Sequence, residues 1–311
     1  MCYYKKVIKI MQRVDVKLGF QCNNRCRFCV QGNKREEYSD KTTKEIKRIL
    51  REARKKHEGL VFTGGEPTIR KDLPELVEYA RELEFKVIQI QTNGRMFAYK
   101  KFCEDLIKKG ANEFALALHG HNAKLHDGLT TVPGSFEQTT SGIKNLKSLG
   151  QPILMNTVIT KPNYKFLPQI ARLLVDLGVN QFQFAFMHIN QNILHDKKLI
   201  KEIVPQKSKA IPYVKKGLQI GIDAGVRVMT EAIPYCFMKD YEDYIAEKII
   251  PNGAVYDADW AIEDYGKYRR TEGKIKGPNC SKCKYFKICE GPWKEYPQIF
   301  GWEEFKPVKK I

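Results

Sequence analysis

Apolar positions along the chain follow two alternating rhythms. Residues 14–18 alternate apolar and polar, whereas Ile46, Ile49, Leu50 and Ala53 recur at i, i+3, i+4 and i+7 within the charged stretch 42–56. The first pattern predicts a strand and the second an amphipathic helix. The sequence repeats this pairing. Residues 60–62 predict a short buried strand, followed by a helix carrying Leu73, Leu76, Val77 and Ala80. Residues 87–91 and 102–109 form the third pair, and residues 114–118 precede a helix through Phe136, Ile143, Leu146 and Leu149. Residues 153–159 pair with Leu167, Ile170, Leu174 and Leu177, and residues 181–186 with Ile211, Val214, Leu218 and Ile222. Gly110, Gly150 and Gly178 suit the left-handed position that ends a helix. Six strand–helix units imply an α/β fold with a parallel sheet and right-handed crossovers, either an open doubly wound sheet or a barrel.

The rhythm breaks after a short extra strand at residues 227–229. Residues 231–311 are rich in Tyr, Trp, Pro, Gly and Cys, with one weak helix expected around residues 241–250. The chain therefore divides into a core, 1–230, and an extension, 231–311. With 311 residues and 42% hydrophobic content it can bury a barrel-sized core. No apolar run approaches the ~18 residues of a membrane helix, and the opening residues lack a signal-peptide pattern, so a cytoplasmic protein without a membrane partner is expected.

Nine cysteines in such a chain read as metal ligands rather than disulfides. Seven fall into two groups, and Cys2 and Cys103 stand apart as incidental or buried thiols. The net charge of +18 suits an acidic partner such as RNA, an acidic peptide or a phosphorylated metabolite, and equally a Lys-rich solvated surface.

The first group, Cys22-x3-Cys26-x2-Cys29, follows the first strand. Structural zinc closes its shell with four protein ligands, whereas a cubane iron–sulfur cluster on three thiolates keeps one iron free. A zinc knuckle is the plain alternative. Thr63-Gly64-Gly65-Glu66-Pro67, after the second strand, is by itself an ordinary turn. Taken together, the cysteine triad with Phe28 before its third member and the Gly-Gly-Glu segment resemble the radical S-adenosylmethionine (radical SAM) superfamily.

That resemblance implies a partial (β/α)6 TIM-type barrel. It also implies a [4Fe–4S] cluster on Cys22, Cys26 and Cys29, whose fourth iron binds SAM, and Glu66 accepting from the SAM ammonium beside Gly64 and Gly65. Asn93, in Thr92-Asn93-Gly94, resembles the family's third-strand motif, although Asn-Gly also favours a turn without any ligand. His119 and Asn122 stand at the family's ribose level, where serine or an acid is more usual. Asn156 and Thr157 are candidate SAM or substrate contacts, with backbone satisfaction the alternative.

The second group is Cys236-x43-Cys280-x2-Cys283-x5-Cys289, enough thiolates to close a shell. Zinc ribbons pair two Cys-x2-Cys knuckles, and only one is present. The spacing resembles the SPASM/Twitch extension, with Trp293 where a further cysteine would stand, and implies an auxiliary [4Fe–4S] cluster, with zinc as the alternative. The implied enzyme takes electrons from a ferredoxin or flavodoxin and abstracts hydrogen from a peptide, protein or small metabolite. Radical modification of RNA or lipid, and a non-catalytic iron–sulfur or zinc module, are the competing readings.

Overall fold

The structure, a computed structural model, describes residues 12–250 and 253–309; Cys2 lies outside them. Seven strands fall where the apolar alternation predicts: β1 (Arg13–Lys17), β2 (Gly59–Thr63), β3 (Val87–Thr92), β4 (Glu113–Ala117), β5 (Ile153–Ile159), β6 (Gln181–Phe186) and β7 (Arg227–Glu231). Two short strands of the extension, β8 (Ala254–Tyr256) and β9 (Ala261–Ile262), complete a nine-stranded sheet ordered β7-β6-β5-β4-β3-β2-β1-β8-β9. All neighbours are parallel except β8 and β9. The sheet is not closed.

The helices between strands include α1 (Thr43–Arg54), α2 (Leu73–Glu82), α3 (Lys100–Lys109), α4 (Ala123–Thr130), α5 (Ser135–Ser148), α6 (Leu167–Asp176) and α7 (Lys207–Asp223). A capping box starts α1, with Thr42 and Glu45 each satisfying the other's backbone N–H. Val14 and Val16 of β1 are fully buried in one core cluster with Ile46 and Leu50 of α1. The alternate positions Arg13, Asp15 and Lys17 face the other way, because side chains alternate across a strand. Arg13 pairs there with Glu113 of β4, which also accepts from Gln89 of β3. Since β1 and β4 are three strands apart in the sheet, this ion pair spans a concavity, and the sheet is curled into a partial barrel with a polar inner wall.

The extension is stitched to this barrel. β8 runs parallel to β1, and a Cβ at Gly253 would stand 2.3 Å from the Arg13 carbonyl oxygen, so only glycine allows that approach. The helix expected around residues 241–250 is instead two 3₁₀ turns, Glu242–Tyr244 and Ala246–Lys248. They are interrupted at Ile245, which forms an isolated parallel bridge with Thr230. Cys103 is a buried thiol directed at the Phe97 carbonyl, 3.2 Å away.

Candidate functional site

The triad loop leaves the C-terminal end of β1 and is gripped on both sides. On one side the Leu18 N–H donates to the Thr63 carbonyl at 3.0 Å, Gly65 N–H to Gly19 at 2.9 Å and Glu66 N–H to Gln21 at 2.8 Å. Gly64 has φ +129°, and Cβ atoms at Gly64 and Gly65 would stand 2.3 Å from the carbonyl oxygens of Gly19 and Gln21. The smallness of the glycine pair thus serves the contact between the β2 turn and the triad loop. On the other side Arg25 and Arg27 donate their N–H groups to Thr130 and Leu129 at the end of α4, at 2.9 and 3.1 Å. Asn190, beyond β6, donates to the Cys29 carbonyl at 2.8 Å.

Cys22, Cys26 and Cys29 are partly exposed on this loop. Cys22 Sγ accepts the Asn24 N–H at 3.3 Å. Burial, reinforced by the charges of Cys29 and Cys22, pushes the Cys26 thiol up to about 12. Burial raises the Cys22 thiol as well, and thiols that resist ionising without a counter-charge suit a cationic metal group, which ionises its thiol ligands. Among the described residues no three His, Cys, Asp or Glu side chains converge closely enough to enclose a single ion. A zinc ion with sulfur ligands at ~2.3 Å would draw those sulfurs to within about 4 Å of one another. An all-thiolate set of three ligands fits an iron–sulfur cluster that keeps one iron free.

Beside the triad, Glu66 is buried and ties β2 to β3. Its Oε1 accepts from Thr68 N–H (3.0 Å), Thr68 Oγ1 (2.5 Å) and Thr92 Oγ1 (2.7 Å), while Oε2 accepts, among the described residues, only the Asn93 N–H at 2.7 Å. Desolvation raises its pKa against the hydrogen bonds from Asn93, Thr68 and Thr92, and among the described residues no cation pairs with it. Asn93 Nδ2 donates to Asn23 Oδ1 at 2.7 Å and reaches within 3.9 Å of Cys22 Sγ. Arg95 donates to Asn24 Oδ1 at 2.9 Å, to the Asn23 carbonyl and to Gln138 at 2.6 Å. Sequence reasoning missed Arg95; its only signal was its place directly after Asn93-Gly94.

Phe28, 6% exposed, meets His119 edge-on at 4.7 Å. His119 Nδ1 faces the Val158 N–H at 3.3 Å, which leaves the proton on Nε2. Burial and the neighbouring His126 hold this imidazole neutral, well below the usual histidine range. His126 accepts the His119 N–H on its own Nδ1 at 3.0 Å and was also missed. Asn122 is the N-cap of α4, accepting from Leu125 N–H at 2.9 Å. Thr157 donates to the Leu118 carbonyl at 2.7 Å, the backbone role that was its alternative. Asn156 accepts from Gln183 Nε2 at 3.2 Å, and the same amide donates to Glu231 at 3.2 Å. This chain of β5, β6 and β7 side chains extends the polar inner wall. The structure thus gathers Phe28, Gly64, Gly65, Glu66, Asn93 and His119 around the triad loop, while Asn122 caps a helix and Asn156 stands on the wall.

The second cysteine group also converges. Cys236, Cys280, Cys283 and Cys289 line one cavity with Phe286 and Phe305. Burial and then the charges of the other three push the Cys236 thiol up to about 12. A Cβ at Gly291, φ +83°, would meet the Ile275 carbonyl oxygen at 2.0 Å. Glu290, directly after Cys289, belongs to a buried ion network. Arg269 makes a two-pronged pair with Glu290 at 3.0 and 3.1 Å, and Lys274 bridges Glu290 (2.8 Å) and Glu247 (2.7 Å).

Residues 16–174, about half of the chain, match the family model described as the radical SAM superfamily. The chain belongs to the radical SAM superfamily. It is 31% identical over 159 residues to an AdoMet-dependent heme synthase of Oleidesulfovibrio alaskensis, covering 50% of this chain and 40% of that protein. It is 24% identical over 273 residues to one of Methanosarcina barkeri (75% and 76% covered). A probable GTP 3′,8-cyclase of Saccharolobus solfataricus is 28% identical over 181 residues (57% and 58%). The chain thus spans less than two thirds of the first and third relatives. Streptococcus suis SuiB bound to S-adenosylmethionine superposes with TM-score 0.67 at 17% identity, covering 97% of this chain and 76% of that one. The structure of anSMEcpe with bound AdoMet and Cp18Cys peptide gives 0.65 at 16% identity, with 95% and 96% covered. Both likenesses are likenesses of fold, and they extend through the extension of this radical SAM chain.

Proposed function

We propose that the chain is a radical SAM enzyme that acts on a peptide, protein or small metabolite held in the barrel mouth. The observation that carries this reading is the convergence of Cys22, Cys26 and Cys29 with the cation-free carboxylate of Glu66 at the C-terminal end of the strands. When bound, the cluster supplies an electron that cleaves SAM to methionine and a 5′-deoxyadenosyl radical, which takes a hydrogen from substrate. Glu66 Oε2 has room for one further donor and would orient the SAM ammonium by a charge-assisted hydrogen bond. Asn93 and Arg95 hold the triad loop against β3. Phe28 and His119 close an apolar wall beside it, and the neutral imidazole keeps a polar N–H without a charge. Asp15, Asn156, Gln183 and Glu231 on the inner wall would hold polar groups of the substrate.

The four-cysteine cavity supports an auxiliary [4Fe–4S] cluster over zinc, because its all-thiolate set has one Cys-x2-Cys knuckle where a zinc ribbon pairs two. Under this reading residues 1–230 form the core and 231–311 the cluster-binding extension. Oxygen-labile ligands suit a reducing, cytoplasmic setting, and the electron donor is a ferredoxin or flavodoxin. Anaerobic protein should carry about eight irons and eight sulfides per chain. With SAM and dithionite it should form 5′-deoxyadenosine. Cluster-loaded protein that leaves SAM intact would overturn the proposal, and about four irons with one zinc would restrict it to a single cluster.

A further inference from the structure

Nine large hydrophobic side chains are exposed among the described residues, and three of them, Ile275, Phe286 and Ile288, lie within fourteen residues of one another at 45%, 40% and 58% exposure. Phe286 itself lines the four-cysteine cavity. Phe286 and Ile288 share one loop, and Lys276, next to Ile275, donates to the Phe286 carbonyl, so the three are neighbours in an apolar patch of the kind that serves interaction. Its charge is one-sided: residues 273–289 contain five lysines and no Asp or Glu. Lys274 is buried in the ion network, whereas Lys276, Lys282, Lys284 and Lys287 are exposed. Lys276 donates to the Phe286 carbonyl at 2.6 Å, its ammonium 4.4 Å from that ring's centre, and Lys306 lines the same cavity. The patch therefore has an apolar centre and a mainly cationic rim beside the second cysteine group, with Glu242 reaching it at Tyr285.

We infer that this face is the docking site of a small acidic one-electron carrier protein, which exchanges electrons with the metal group held by Cys236, Cys280, Cys283 and Cys289. The inference rests on the reading of those cysteines as cluster ligands. Carrier encounters are small and transient, below about 1,200 Å² of total buried surface. Three apolar side chains inside a lysine rim suit that size. Complementary charge raises the association rate, and the apolar centre sets how long the partners stay together. The transfer makes and breaks no bonds: one electron leaves the reduced carrier, which is oxidised, and reduces the metal group. A nucleic acid would also answer to the lysines, but Ile275 and Ile288 offer no stacking face, the Phe286 ring already carries the Lys276 ammonium 4.4 Å from its centre, and residues 273–289 contain no arginine.

The test uses anaerobically prepared holoprotein whose iron and zinc have been measured first, so that failure of the cluster reading is seen before binding is examined. A small acidic [2Fe–2S] ferredoxin is titrated calorimetrically at two salt concentrations against wild type, against Lys282→Glu/Lys284→Glu/Lys287→Glu, and against a control of equal charge change, Lys100→Glu/Lys144→Glu/Lys147→Glu. The control lysines lie on α3 and α5, and all three are exposed. The rim variant should weaken binding at least about tenfold more than the control, with the difference shrinking at high salt. Ile288→Ser should speed dissociation. Equal losses in the two triple variants, no binding by wild type, or a rim effect on single-stranded RNA with carrier binding untouched would each overturn the assignment.

Discussion

The barrel and the extension treat buried charge in opposite ways. In the extension, Glu290 is pulled below the usual carboxylate range despite burial, because Arg269 and Lys274 donate to it directly. Lys274 and Arg269 are correspondingly held above theirs despite desolvation. In the barrel, Asp15, Glu66 and Glu231 are all raised by desolvation, Asp15 to about 6, with weaker or no compensation from cations. Paired charges deep in a protein hold elements in place, and unpaired ones await a partner. The extension's network therefore reads as structure, as does the Arg13–Glu113 pair, and Asp15, Glu66 and Glu231 read as a binding surface.

Reciprocal cysteine variants should split the molecule most sharply. Cys26→Ala should abolish 5′-deoxyadenosine formation while leaving the extension as protected from proteolysis as in wild type. Cys283→Ala should loosen residues 231–311 and lower the iron content by about four, yet leave the barrel folded and SAM cleavage without substrate intact, because metal ligation free energy adds to local folding. Cleavage persisting in Cys26→Ala with its cluster present would remove the triad's assigned role. An equally protected tail in iron-depleted Cys283→Ala would show that the extension needs no cross-link.

The uneven legibility of the two regions follows from the same physics. β5 and β6 lie where the apolar pattern predicts because each strand buries one face against helices, so burial writes itself as periodicity. The triad and Glu66 were visible because thiols and a Gly-Gly-Glu turn are rare combinations. β8 and β9 were not, since strands of three and two residues have no room for a period. α4 was missed because Lys124, His126 and Asp127 blur its apolar stripe, although it supplies the backbone acceptors for Arg25 and Arg27. The buried network of Glu247, Arg269, Lys274 and Glu290 looks like any charged surface segment until folding brings the four together. Lys207 is hidden in the same way: it is 1% exposed, with its ammonium against the rings of Phe186 and Tyr296 and donating to the Ala232 carbonyl at 3.0 Å.

If the extension's charges are structural, removing one partner should be costly. Lys274→Met leaves Glu247 and Glu290 buried with less compensation, so it should destabilise the extension by about 3–5 kcal/mol. Hydrogen exchange should rise across residues 253–309 and stay unchanged in β2 to β5. A smaller change at the barrel end should act on binding. Glu66→Gln should weaken SAM binding by about 1.5–3 kcal/mol while retaining three-thiolate iron, because Oε2 is the oxygen with spare acceptor capacity. Loss of that iron with normal SAM affinity in the remaining holoprotein would make Glu66 a structural residue.

The mildest expected effect tests the barrel half of the comparison alone. Asp15 stands on β1 in the inner wall, and desolvation outweighs the attraction of Lys17 and Arg13, raising its pKa from 3.8 to about 6. Lys17 is largely engaged elsewhere, paired with Asp257. A carboxyl whose folded pKa exceeds its unfolded one binds more protons in the folded state across that interval, so stability falls as pH rises from about 4 to 6 and stays lowered above it. Full titration corresponds to about 3 kcal/mol. Asp15→Asn removes the charge but leaves a polar amide to satisfy, so it should recover about 1–2 kcal/mol at pH 8 and nothing below pH 4. Urea unfolding of holoprotein at the two pH values measures the difference. A variant less stable than wild type at pH 8 would mean that Asp15 is held ionised by its neighbours, and that the barrel pairs its charges just as the extension does.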